Sequence, residues 1–294
     1  MDAHIFKTIA IQALELVTHL CFPAIVFTIS SRITLRDVLG ELKRPVLLVK
    51  ILLVGCVFVP LVTAGVLRLF NLPRIVAAII LVASIAPGDS FALLEVKDKK
   101  GRVTLAAVIM AWLCLAMPFT VPAWTKIFGQ WFNLKLMVSP LEVFKTIAPL
   151  TLLPLFAGIF IRHFYPLLSQ RLERIVAVFA KCSIAIAAVV GLLLSLKAFH
   201  HYTISAMGAI GIVVTCALVL GYYSGCGDRR DRISMALSAS LGNFAVILLI
   251  AHLNYPHAHV AGAALAFILI RWLVIMFWYI VMRVRLRLKG EIFG

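Results

Sequence analysis

Along this chain apolar residues run in long stretches, separated by short polar and basic segments. A helix crossing a hydrocarbon core takes about 20 mostly apolar residues. Nine segments reach or approach that length: 8–30, 44–69, 73–95, 103–125, 146–164, 173–197, 203–225, 232–254 and 258–282. The pattern predicts an all-α polytopic membrane protein with nine transmembrane helices. The first segment follows Asp2 rather than a basic cluster and is too long for a signal-peptide core, so it is expected to be retained.

Two of the nine are interrupted. Segment 73–95 contains Pro87-Gly88-Asp89-Ser90, and segment 232–254 contains Ser238, Ser240, Gly242 and Asn243. Proline removes an amide donor and clashes with the preceding turn, and glycine weakens the helix further. Both helices should open there. The released backbone groups must then face protein or a cavity, because lipid cannot satisfy them. These are the third and eighth spans, and an odd offset makes them antiparallel. Interrupted spans at matching places in two halves point to inverted repeats whose binding site lies where they meet. Residues 1–125 (spans 1–4) would form the first repeat and residues 173–294 (spans 6–9 and the tail) the second. Residues 126–172 would hold an unpaired fifth span. The expected architecture is two inverted repeats, with two broken helices that cross at their irregular centres.

Composition agrees, with 63% hydrophobic and 14% charged residues. Soluble domains run at about 45–50% and about 25%. Disorder is excluded by the same numbers. A net charge of +16 would suggest nucleic acid on a soluble protein. Here 20 of the 28 Lys and Arg fall in loops after odd-numbered spans, counting a few just inside the span ends. The charge therefore reads as a topology signal, with the N-terminus outside and the C-terminus cytoplasmic in a cell inner membrane. No nucleic-acid partner and no cofactor are expected, and the Walker A, GxSxG and HExxH patterns are missing. The six Cys form no CxxC and read as packing residues. Trp124, Trp131, Trp278 and Tyr279 read as an aromatic belt.

An intramembrane carboxylate is a functional hypothesis by default, which singles out Asp89. Arg271, deep in the last span, needs either a carboxylate such as Asp89 or an anionic substrate. The candidate substrate site is Pro87, Gly88, Asp89, Ser90, Ser238, Ser240, Gly242, Asn243 and Arg271, with Asp89 and Asn243 as candidates for holding a coupling ion. Glu15 and His19, four apart, share a helix face. Glu95 to Arg102 reads as a solvated turn, and His252, His257 and His259 as exposed loop histidines.

Several stretches recur in one order: Phe22-Pro23 to Arg32 and Arg36-Asp37, Lys43-Arg44-Pro45 before a span holding Pro60, and Ala86-Pro87-Gly88. Leu153-Pro154 leading to Gly158, Arg162 and Pro166 follows, then Arg232 before a Ser-rich helix ending in Gly242-Asn243. In order and spacing, over nearly the whole chain, this resembles the bile acid:sodium symporter family. The resemblance implies a panel of spans 1, 5 and 6, a core of spans 2–4 and 7–9, and sodium-driven alternating access for organic anions. Where that family holds sodium with a Ser-Asn pair, this chain has about Ala92 and Leu93. The family's Glu falls on Leu237 or Ser238, and its Gln on Leu241 or Gly242, leaving Asn243. Hard cations take several oxygen ligands. A small organic anion moved with a proton on Asp89 is therefore expected, with a rebuilt sodium site as the alternative. Two rivals stand beside it: an intramembrane enzyme, which needs a second carboxylate converging on Asp89, and a non-transporting scaffold.

Overall fold

A computed structural model describes residues 19–198, 203–240, 242–255 and 260–288. Glu15, Leu241, His257 and His259 lie outside the described residues. The chain folds as α1 (His19–Ser30), α2 (Leu35–Leu42), α3 (Pro45–Leu69), α4 (Arg74–Ile85), α5 (Phe91–Asp98) and α6 (Val103–Phe132). It continues as α7 (Pro140–Phe164), α8 (Pro166–Ala198), α9 (Ile204–Ser224), α10 (Arg229–Ala239), α11 (Phe244–Asn254) and α12 (Val260–Leu288). Five helical stretches among the described residues are long and apolar enough to cross a membrane: α3, α6, α7, α9 and Ala264–Val284 within α12. The protein is a multi-pass, all-helical membrane protein. Phe119, Phe156, Phe160, Ile175 and Phe277 stand exposed on its outer surface, as lipid-facing side chains do.

Helix starts follow local chemistry. Thr34 and Asp37 close a capping box on α2, and Ser139 and Glu142 close another on α7. The second box begins the fifth apolar segment at Pro140 rather than at 146. α6 passes Pro118 and Pro122 and stops at Asn133, whose φ of 51° is left-handed.

Two helices contain a π-turn just before a proline, at Val54–Phe58 in α3 and at Ala148–Leu152 in α7. Pro60 has no N–H to give to the carbonyl four residues back, which is that of Cys56. The Trp124 indole donates to that carbonyl instead, at 2.7 Å. Trp124 is thus more than a belt anchor: it satisfies a peptide group that the sequence orphaned. Trp124→Phe is expected to cost about 1–3 kcal/mol, the penalty of a buried unpaired acceptor. A lower melting temperature of the detergent-solubilised protein would register it, and an unchanged one would reassign the indole.

Polar ties gather the helices into two groups. In one, the Ser30 hydroxyl donates to the Pro154 carbonyl at 3.2 Å and the Ser169 hydroxyl to the Ser31 carbonyl at 2.9 Å, while Arg32 pairs with Glu173. These join α1, α7 and α8. In the other, Asp231 at the start of α10 is 1% exposed and pairs with Arg44 ahead of α3. The Arg102 Nε stands 2.8 Å from Asp231 Oδ1, within ion-pair range but poorly aligned for a hydrogen bond. Glu41 at the end of α2 lies 3.1 Å from Arg44 and 3.4 Å from Arg102. The hydrogen bond to Asp231 holds the Arg44 guanidinium above its ordinary value. Three of the basic residues that read as topology signals in the sequence (Arg32, Arg44 and Arg102) therefore also fasten helix ends together.

Candidate functional site

Both interrupted segments are broken, and the breaks meet. α4 ends at Ala86 (φ −112°, ψ 63°), where the following Pro87 disfavours helical backbone. Gly88 turns the chain with a φ of +90°, a conformation glycine adopts without a Cβ penalty. α10 ends at Ser240, and Asn243 caps α11 by accepting from the Val246 amide at 3.3 Å. Pro87 and Gly242 form an antiparallel β-bridge. α4 packs on α11, and α5 on α10, so each half of one broken helix lies against the opposite half of the other.

The peptide groups freed at the breaks satisfy one another. The Asn243 amide donates to the Ala86 carbonyl at 2.5 Å, and its Nδ2 donates to the Gly88 carbonyl at 3.1 Å. The Cys114 thiol also points at the Gly88 carbonyl, at 3.7 Å. Gly242 is required by approach rather than by φ. A Cβ there would overlap the Ala83 carbonyl oxygen and lie 2.9 Å from the Ala83 Cα.

Asp89, Ser90 and Asn243 are 2%, 1% and 3% exposed, so the crossing is closed to solvent. On one side stand α1 and α7. The Ser90 hydroxyl is 3.5 Å from that of Thr151, which lies in the π-turn of α7. Phe22 sets its ring edge-on against Phe91 and Phe244, the first residues of α5 and α11, with centroids 5.4 and 6.2 Å away. On the other side a small cavity is lined by Ser84, Pro87, Ser240 and Gly242 together with Val59 and Phe267. Ser240 donates to Leu237 of its own helix at 3.0 Å, and Ser238 is buried on α10.

Arg271, 2% exposed, donates to Asp89 at 3.2 Å and to Glu95 at 3.4 Å. Glu95 is 8% exposed. Its reading as part of a solvated turn is therefore corrected: Glu95 lies within α5, and the exposed positions begin after it, at Lys97. Its side chain is buried because it reaches the Arg271 guanidinium on α12. The sequence did hold a signal, since a membrane arginine needs compensating charge and Glu95 is one of few acidic residues near a span. Pro87, Gly88, Asp89, Ser90, Gly242, Asn243 and Arg271 thus form one cluster. Ser240 belongs to the cavity behind it. Phe22 and Thr151 join it unannounced, because they stand on other helices and no spacing within one helix links them to the breaks.

The model of the Sodium Bile acid symporter family matches residues 19–202, which include the first broken helix and the α1 and α7 faces opposite it. The chain belongs to that family. Members of the sodium bile acid symporter family are transporters, not enzymes, so the enzyme reading falls. Compared with curated proteins, the chain matches none.

Proposed function

We propose that this chain is a secondary active transporter moving a small organic anion by alternating access, with the anion and a coupling proton held at the crossing. The site residues are Pro87, Gly88, Asp89, Ser90, Ser238, Ser240, Gly242, Asn243 and Arg271, with Asp89 and Asn243 next to the coupling ion. The bridged breaks of α4/α5 and α10/α11 carry this reading. Two antiparallel half-helix N-termini meeting inside the protein offer partial positive charge to an anion. The two polar-tied groups of helices support alternating access, since α1, α7 and α8 meet the crossing through the van der Waals contacts of Phe22 and the long Ser90–Thr151 contact. Such contacts can slide where a network like that of Asp231 cannot. In this reading nine crossings form two inverted repeats, 1–125 and 173–294, around an unpaired span in 126–172. The N-terminus is outside and the C-terminus in the cytoplasm of an inner membrane.

A proton is favoured over sodium because Ala92 and Leu93 are buried and apolar at positions where the resemblance expects oxygen ligands. The second reading, sodium at a rebuilt site, draws on Asp89 and on the carbonyls of Ala86 and Gly88 beside Asn243. Uptake of organic acids into proteoliposomes, under an imposed pH or sodium gradient, separates the two. Asp89→Asn is expected to abolish pH-driven uptake while leaving the melting temperature close to that of the unaltered protein, since Arg271 keeps Glu95. Uptake that persists in this variant, or that follows sodium alone, would take the proton role from Asp89.

A further inference from the structure

Arg271 serves two carboxylates, its Nη1 donating to Asp89 Oδ2 and its Nη2 to Glu95 Oε1. One cation against two anions leaves this buried set with a single negative charge in excess. Each carboxylate also keeps one oxygen without a hydrogen-bond partner, Asp89 Oδ1 and Glu95 Oε2, and the Nε donor of Arg271 is unpartnered as well. Buried polar atoms without partners and buried charge without counter-charge are both costly. A proton answers the second, because it cancels the excess charge. The titratable groups facing Asp89 are Arg271 from α12, Glu95 from α5, Cys21 from α1 and Cys114 from α6. Of these four groups the guanidinium is the sole cation, and it is already divided between the carboxylates.

We infer that Asp89, Arg271 and Glu95 form one proton-binding unit, in which a single exchangeable proton is shared by the two carboxylates across the guanidinium. The inference rests on the carrier reading, in which Asp89 takes the coupling proton, and adds Glu95 as the proton's second station. Arg271 is the positioning residue, holding both carboxylates while never releasing its own proton. Glu95 sits on the last turn of α5, next to the exposed Lys97.

The test is infrared difference spectroscopy of the full chain in lipid vesicles, titrated from about pH 4 to about pH 9, a range covering ordinary and buried carboxyl groups. One protonated-carboxyl band is expected to titrate in the unaltered protein. It should vanish in Asp89→Asn and equally in Glu95→Gln, because each variant leaves one anion facing one cation. Arg271→Lys, which keeps the charge, should retain it. Carboxyl-labelled glutamate in the unaltered protein provides a readout that needs no variant to fold: part of the band should move to lower frequency. No titrating band, a band surviving Glu95→Gln, or a band indifferent to the label each overturns the shared unit. Titration requires no transport. A retained band without pH-driven uptake would sink the carrier reading alone, and uptake without the band would sink the unit alone.

Discussion

Arg271→Met is expected to cost about 3–5 kcal/mol, the penalty of removing the cation from a buried ion set. Asp89 and Glu95 would then face each other with no positive charge between them, and both are at least nine-tenths buried. Most of the chain should melt early or fail to leave the membrane as a monodisperse species. The neutral triple variant Arg271→Met, Asp89→Asn, Glu95→Gln is expected to recover much of that loss. Replacing a whole buried ion set by neutral groups of similar volume is often close to neutral. Size-exclusion profiles and thermal melts of the two variants read the comparison directly. A single variant as stable as the unaltered protein, or a triple variant no better than the single one, would overturn the charged triad.

Gly242→Ala should separate the two broken helices. The new methyl would collide with the backbone of Ala83, which lies in the last turn of α4 and cannot move like the tip of a side chain. Overpacking of this kind costs about 1–3 kcal/mol, and more where backbone must shift. The Pro87 bridge and the 2.5 Å Asn243–Ala86 hydrogen bond lie within one residue of the collision. Loss of transport is therefore expected even where the protein still folds. Gly208→Ala and Gly211→Ala are the controls, since nothing stands within 4 Å of a Cβ at either position. Both lie inside α9, where alanine exceeds glycine in helix propensity by about 1 kcal/mol. They should be neutral or slightly stabilising in the same melts. A Gly242→Ala variant that behaves like these controls would mean the crossing is looser than its geometry indicates.

Much of this architecture was legible before any coordinates. Proline at 87 disfavours helix at Ala86 and glycine at 88 weakens it further, so the first break was written locally. The second break has no proline. Its position followed from Gly242 and Asn243, one allowing close approach and the other capping the next helix. Pro60 also announced a disturbed helix, yet nothing nearby in sequence named Trp124 as the group that would repair it. Glu95 was misread for a related reason. Its neighbours Lys97 to Arg102 are polar and exposed, and a window of sequence averages over them, whereas burial of one side chain depends on which way a short helix points.

The sequence by itself determined the membrane class, the helical segments and the two points where helices must break. Those depend on apolar length and on the backbone limits of proline and glycine, which act over a few residues. Only the tertiary structure decided that the breaks pair with each other, that Arg271 holds both Asp89 and Glu95, and that Phe22 and Thr151 close the site. These are encounters between residues far apart in the chain, Asp89 and Arg271 being separated by 182 positions. No periodicity records them, because they arise when whole helices choose their neighbours to satisfy charges and peptide groups that lipid will not accept.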